Sequence, residues 1–152
     1  MKPTMTPNPS GQQGVILLEA LIGILIFSLG VLALVAMQAV SVSNVSNARY
    51  RTEAAFLANE IISEIWVDRG LAYANVANYA VSNGSALGVP ATTWVQKVRA
   101  QLPGSDIYGP DVVITTPAAG GRQVTVTLRW KAPDAVAVSK HDGEVIVTPG
   151  AD

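Results

Sequence analysis

The stretch Val15–Met37 reads VILLEALIGILIFSLGVLALVAM and carries one charged side chain, Glu19. This stretch predicts a membrane-spanning helix, because about 20 consecutive apolar residues cross the hydrocarbon core of a bilayer. An ionised carboxylate placed well inside a bilayer costs roughly 2.5 to 3.5 kcal/mol on insertion scales. A simple anchor would insert more favourably without this acid, so we interpret Glu19 as a functional residue.

The composition fits one membrane span and one small domain. The chain has 152 residues, of which 49% are hydrophobic and 14% are charged, and much of the apolar excess lies in Val15–Met37. The formal net charge is -1, which argues against a basic surface for nucleic acid or anionic lipid. Cysteine is absent from the sequence, which excludes zinc–thiolate sites, thiol catalysis and disulfides.

Two ordinary interpretations of the apolar stretch differ in how well they fit. A cleaved secretory signal has a basic start and an apolar region of about 7 to 15 residues. Here only Lys2 is basic, the apolar run is longer, and it contains an acid, so this interpretation fits poorly. An uncleaved single-pass anchor stays open, because Glu19 near its end could reach the headgroups by snorkelling. Basic residues flank the span on both sides and leave its orientation open.

A third interpretation rests on Gly11–Ile22, GQQGVILLEALI. This string resembles the class III signal of type IV pilins and of their relatives, the pseudopilins of type II secretion. In that family a prepilin peptidase cleaves after a glycine on the cytoplasmic side, and the new amino terminus is methylated. The resemblance implies cleavage between Gly14 and Val15 and N-methylation of Val15. It also implies that Glu19, at the fifth mature position, pairs with the amino terminus of a neighbouring subunit during assembly.

Further residues narrow the resemblance to minor pilins. Val15 and Ile16 stand where the family usually has phenylalanine and commonly has threonine, which favours a minor subunit over an abundant major one. The segment Ser28–Gln38, the Trp94 helix with its end at Leu102-Pro103-Gly104, and the strand Val124–Trp130 resemble the PilV group of minor pilins. Minor pseudopilins of type II secretion share the first part almost equally, so that alternative stays open.

The resemblance implies a location and a set of partners. The chain would cross the inner membrane once, with a cytoplasmic leader and a periplasmic head, and would then enter a pilus on the cell surface. The implied partners are the prepilin peptidase, the inner-membrane assembly platform, the major pilin and other minor pilins. The implied role is to prime or modify type IV pilus assembly, in a tip complex of minor pilins. No nucleic acid, small-molecule substrate or cofactor is expected.

The helix is predicted to continue beyond the membrane. No proline occurs between Pro9 and Pro90. After Met37 the pattern becomes amphipathic, with charged and apolar residues on different faces of the helix. A polar patch at residues 41–47 is where we expect the helix to bend or loosen. The helix should end near Arg69-Gly70. Its apolar residues recur at steps of three and four: Ala54, Leu57, Ala58, Ile61, Ile62, Ile65 and Trp66.

The remaining residues predict an α+β, pilin-like fold, in which the long amino-terminal helix packs on a small antiparallel sheet. A surface loop is predicted over 72–90, and a short helix over about 93–102. Strands are predicted over 111–116 and, from alternating apolar residues, over 124–130. A further hairpin is expected where Val136 and Val138 meet Val145 and Val147 across Asp142-Gly143.

These elements divide the chain into four predicted parts. Residues 1–14 form the leader, 15–40 the transmembrane half of the helix, 41–69 its amphipathic half, and 70–152 the globular head.

The sequence offers little for catalysis or metal binding. His141 lies beside the predicted Asp142-Gly143 turn, where a solvated loop residue is expected rather than a general base. Asp142 and Glu144 fall far short of a calcium-binding loop. Asn44 and Asn83 each begin a glycosylation triplet, a match that often arises by chance. We therefore expect a non-enzymatic protein with no catalytic residue and no metal ligand.

Overall fold

The computed structural model describes residues 13–70, 73–118, 120–133 and 135–148. These residues belong to two compact units, of which the first ends at Ser43 and the second begins at Asn44. Helix α1, Gln13–Asp68, contributes to both units. The predicted leader falls almost entirely on residues 1–12, outside the described residues.

The described part of the first unit is helical throughout, up to Ser43. Its large apolar side chains are exposed along the whole length, from Val15 at 65% to Val42 at 66%. The Ser28 hydroxyl donates a hydrogen bond of 2.7 Å to the Ile24 carbonyl, one turn earlier in the same helix. This polar side chain is therefore satisfied inside the helix, as apolar surroundings require.

The second unit combines the last part of α1 with a second helix and a five-stranded sheet. The strands are antiparallel in the order β2-β1-β3-β4-β5. A 3₁₀ helix, Val76–Tyr79, lies between α1 and the sheet in the chain. The other elements are β1 Val81–Ser82, β2 Ser85–Ala86, α2 Val89–Gln101, β3 Asp111–Thr115, β4 Arg122–Trp130 and β5 Ser139–Val147.

One hydrophobic core joins the two helices and the sheet. The apolar face predicted for α1 is buried at Ala54, Leu57, Ala58, Ile61 and Ile65. The alternation predicted for β4 is also present, since every second side chain is buried and shares the same core: Val124, Val126, Leu128 and Trp130. The fold prediction is confirmed: the chain is α+β, with a long amino-terminal helix and a small antiparallel sheet in a pilin-like layout.

The carboxyl end of α1 lies where the sequence predicted it. The helix ends at Asp68, and Gly70 adopts a φ of +64°, the left-handed conformation that commonly terminates helices. The Arg69 guanidinium donates a hydrogen bond of 2.8 Å to the Trp66 carbonyl and lies 5.0 Å from the centre of the Trp66 ring. Both contacts fasten the last turn.

The hairpin predicted across Asp142-Gly143 is wrong. Both residues lie inside β5, which pairs with β4 over its whole length, and Gly143 lies opposite Val126. A Cβ on Gly143 would lie 3.4 Å from Ile62 Cδ1 and 3.5 Å from Ala58 Cβ. The glycine thus allows α1 to approach the sheet closely rather than forming a turn. His141 is accordingly a half-buried strand residue, not a solvated loop residue.

The surface loop predicted over 72–90 is also wrong in part. This segment contains the 3₁₀ helix and the β1–β2 hairpin, and Val76, Tyr79 and Val81 belong to the core. Helix α2 begins at Val89, earlier than predicted, with Pro90 in its first turn, where a missing N–H costs nothing.

Candidate functional site: the amino-terminal helix and its carboxylate

The residues predicted to mark processing and assembly lie in the first turns of α1. Gly14, Val15 and Glu19 are helical and exposed, and the Val15 side chain is 65% accessible. Gly11 and Gln12 of the predicted signal lie outside the described residues. Processing at Gly14 and methylation of Val15 therefore stay predictions.

Gly14 has no packing reason within this chain to be a glycine. A Cβ on Gly14 would meet no atom within 4 Å, apart from its own helical turn and its neighbours in the chain. Glycine inside a helix is less favourable than alanine by roughly 0.5 to 1 kcal/mol. Among the described residues no contact compensates for this helix-weakening residue in the first turn of α1.

Glu19 shares one side of the helix with two further glycines. Gly23 and Gly30 follow Glu19 by four and eleven residues, which at 3.6 residues per turn places all three within an arc of about 40°. A Cβ on either glycine would also meet open space. In membranes such small residues let a neighbouring helix approach closely. The carboxylate therefore lies on the side of α1 that offers the closest approach.

The carboxylate of Glu19 has no ion-pair partner in the described part of the chain, where the cations that form ion pairs are Lys97, Arg129 and Lys140. The apolar residues around Glu19 are exposed, among them Leu18 at 59% and Ile22 at 45%. Continuous exposed apolar surface of this extent marks a membrane or protein contact. Among the described residues, α1 is the one helix long and apolar enough to cross a membrane.

The second unit carries an open acidic groove of about 400 Å³ along α1. Glu60, Glu64 and Asp68 line it at four-residue intervals, together with Tyr79. Lys97 of α2 donates to Glu60 Oε1, while Glu60 Oε2 is buried and finds no partner among the described residues. Burial, reinforced by the charge of Glu60, raises the pKa of Glu64, and Lys97 partly offsets this effect.

Asp68 ties the end of α1 to the segment that follows it. Its carboxylate accepts hydrogen bonds of 3.1 Å from the Asn75 amide and of 3.1 Å from the Tyr79 hydroxyl. Burial of the phenol and its hydrogen bond to Asp68 raise the pKa of Tyr79 to about 12. These contacts hold the 3₁₀ helix against α1, so we assign this cluster a structural role.

The remaining candidate side chains are dispersed or already engaged. His141 and Asp142 point to opposite faces of β5 because they are adjacent on a strand. Asp142 accepts hydrogen bonds from Lys140 at 2.9 Å and from Thr127 at 2.8 Å, and the Lys140 contact lowers the pKa of Asp142. Glu144 accepts a hydrogen bond from Gln123. No group of three metal-binding side chains occurs within the residues that the structure covers.

The two glycosylation triplets lie in different settings. Asn44 is an exposed residue of α1. Asn83, with a φ of +46°, and Gly84, with a φ of +74°, form the two-residue turn between β1 and β2. This Asn-Gly pair is a strong hairpin signal, and it could have predicted the β1–β2 turn from the sequence.

Comparison of the chain with protein-family models, with curated proteins and with solved structures finds no match.

Two hydrogen bonds of the second unit were not predicted from the sequence. The Asp68–Tyr79 bond joins residues eleven apart across a turn whose shape the sequence did not reveal. The hydrogen bond from the Trp94 indole to the Leu57 carbonyl, at 2.9 Å, joins residues thirty-seven apart. Neither leaves a local signal beyond the residue types themselves.

Proposed function

We propose that this chain is a minor pilin subunit that primes or modifies type IV pilus assembly after a prepilin peptidase removes residues 1–14. In this proposal it is a structural protein of the inner membrane and later of the pilus, and it catalyses no reaction. Its partners are other minor pilins, the major pilin, the peptidase and the assembly platform. The resemblance to the PilV group of minor pilins supports the minor role.

One observation carries the proposal: Glu19 is the single charge in the exposed apolar stretch Val15–Met37 of α1, five residues after Gly14, which has no packing contact among the described residues. A carboxylate in hydrocarbon and an ammonium in hydrocarbon are each costly alone and become tolerable when they neutralise one another. Cleavage after Gly14 creates such an ammonium at Val15. A neighbouring subunit whose Glu19 lies at the depth of that ammonium would be favoured over one shifted along the axis.

Amino-terminal sequencing tests the proposal directly. The full chain is expressed in membranes that contain an active prepilin peptidase or its inactive variant, and the protein is recovered and sequenced. We expect the chain to begin at Val15 only with the active enzyme. Gly14→Leu should stay uncleaved, whereas Gly11→Leu, a matched change at the other glycine of the signal, should be cleaved normally.

A chain that still begins at Met1 beside the active peptidase contradicts the proposal and leaves the single-pass membrane-anchored binding module. Correct processing with loss of folded-enzyme secretion on gene deletion, and with intact pili, identifies the alternative, a minor pseudopilin of a type II secretion system. Loss of surface pili with intact secretion supports the minor pilin.

A further inference from the structure

The sheet of the second unit ends in a long strand with an open edge. β5 spans nine residues and lies last in the sheet order, paired only with β4 among the described residues. Its backbone N–H and C=O groups on the other side form a row that an additional strand could join. The opposite edge strand, β2, has only two residues.

Nothing in β5 disrupts this edge. The nine pairs from Arg122↔Val147 to Trp130↔Ser139 follow one another without a bulge, and the strand contains no proline. Natural edges are commonly protected by bulges, prolines or charged side chains, especially lysine. The charges of β5 are not isolated, since Lys140 pairs with Asp142 and Glu144 accepts a hydrogen bond from Gln123 of β4.

The core beneath this edge is incompletely covered. Val145 of β5 and Ile62 of α1 are partly buried and pack against the core. Gly143, two residues before Val145 in β5, lies against Ile62 and presents no side chain. A strand added beside β5 would pair the backbone groups and also cover these two apolar side chains.

We propose that β5 pairs with β5 of a second copy of this chain, antiparallel and centred on His141. In this register Lys140 of each copy lies opposite Asp142 of the other, and Ser139 lies opposite Gly143. Each lysine then has one aspartate beside it in its own strand and another across the new pair. The four charges alternate, and opposite charges directly across an antiparallel pair are stabilising.

The charge pattern disfavours the neighbouring registers. Centring the pair on Asp142 places the two Asp142 side chains directly opposite each other. Centring it on Gly143 places Asp142 opposite Glu144 twice, and like charges at directly opposite positions are destabilising. Of these three registers, only the one centred on His141 has no like-charged pair directly opposite.

The same register gives a role to an apolar segment that the fold leaves uncovered. Val136, three residues before β5, is 97% exposed, and Ile146 near the end of β5 is 50% exposed. Antiparallel pairing about His141 directs the Val136 end of one copy toward Ile146 of the other. The ends of the paired strands thereby bring apolar surface together.

A cysteine scan of the full chain tests this register, because the natural sequence contains no cysteine. Single variants His141→Cys, Asp142→Cys and Gly143→Cys are purified in detergent and oxidised. A residue on the two-fold axis lies opposite the same residue of the second copy, within reach of a disulfide. Diagonal neighbours lie about 7 to 8 Å apart, which is beyond that reach. We expect at least about tenfold more disulfide dimer from His141→Cys than from the other two.

Ile107→Cys, at a position 71% exposed, measures random encounter in the same micelles. Dimer formation by His141→Cys at this background level overturns the proposal. A maximum at another position, or cross-linking to a different protein in native membranes, overturns it equally.

Charge exchange provides a second test in the His141→Cys background. Lys140→Glu should reduce the cross-linked fraction to background because it places like charges opposite each other. Adding Asp142→Lys should restore cross-linking, since the pair is then complementary again. Restoration separates loss of pairing from loss of folding, and a double variant that stays monomeric while its circular dichroism spectrum is native contradicts the register. Cross-linking does not depend on leader cleavage, so failure of this proposal can be distinguished from failure of the proposed pilin function.

Discussion

Two buried tryptophans of the second unit differ in one respect that stability measurements can isolate. Trp94 and Trp130 are 3% and 1% exposed and belong to the same core. The Trp94 indole N–H donates to the Leu57 carbonyl at 2.9 Å. The Trp130 indole N–H is buried and finds no acceptor among the described residues. Replacing each by phenylalanine removes the same atoms, so the cost of the smaller ring largely cancels in the comparison.

The remaining difference comes from hydrogen bonding. Trp94→Phe loses one net hydrogen bond, worth about 1 kcal/mol, while Leu57 keeps its helical bond. Trp130→Phe removes a buried donor without a partner, which relieves roughly 1 to 3 kcal/mol of desolvation. We therefore expect Trp94→Phe to be less stable than Trp130→Phe by about 2 to 4 kcal/mol.

Urea unfolding of the full chain in detergent, followed by the fluorescence of the two remaining tryptophans, measures this difference. With a denaturant slope of about 1 to 3 kcal/mol per molar, the two midpoints should differ by at least about 0.7 M. Equal midpoints, or a lower midpoint for Trp130→Phe, would refute the assigned hydrogen bonding.

Three further predictions concern separate parts of the chain. Glu19→Ala should leave membrane insertion intact or improve it, while reducing incorporation into filaments by about tenfold. Glu19→Gln should behave in the same way because it also lacks the charge. Incorporation equal to that of the natural chain, measured by immunoblot of sheared filaments, would count against a role of Glu19 in aligning neighbouring subunits. Gly143→Ala should change the free energy of unfolding by less than about 0.5 kcal/mol, whereas Gly143→Leu should lower it by about 1 to 3 kcal/mol because leucine crowds Ile62. If alanine lowered the free energy of unfolding as much as leucine does, position 143 would lie in a left-handed turn instead. The folded-state pKa of Tyr79 is raised to about 12, so its contribution to stability is complete below pH 10 and is lost as the pH rises toward 12. The free energy of unfolding should fall by about 2 kcal/mol over this range. In Tyr79→Phe, unfolding curves measured over a pH series should show a smaller fall.

The amphipathic part of α1 and strand β4 could be predicted from sequence because both follow a strict period. The face of α1 from Ala54 to Ile65 repeats every three or four residues, and β4 alternates along its whole length. The burial of one side of each element is enough to produce these patterns. Their existence and type therefore required no knowledge of the rest of the fold.

The two Asx-Gly pairs show where local reasoning fails. Asn83-Gly84 forms a tight hairpin turn, while Asp142-Gly143 continues through a strand. The pair itself permits either conformation, and the surroundings decide. Gly143 faces Ile62 and Ala58 of α1, a contact that joins residues about eighty positions apart and has no local sequence signal. The alternation of Lys140, Asp142 and Glu144 on one face was the available clue to a continuous strand.

The predicted processing residues illustrate a different limit. Within the described residues no packing contact requires a glycine at position 14, and Val15 is exposed, so packing leaves these identities unconstrained. In the proposed function, another protein recognises these residues. A motif resemblance suggests that role, and amino-terminal sequencing decides it.

The unequal edges of the sheet limit how far the protein can aggregate. A fibre grows only when every added molecule buries one competent edge and presents another. With β2 only two residues long, a pair joined through β5 would present two short ends and no further template. Pairing of edge strands between copies would thus stop at two molecules. An exposed nine-residue edge would then be tolerable even at the high local concentration of a membrane surface.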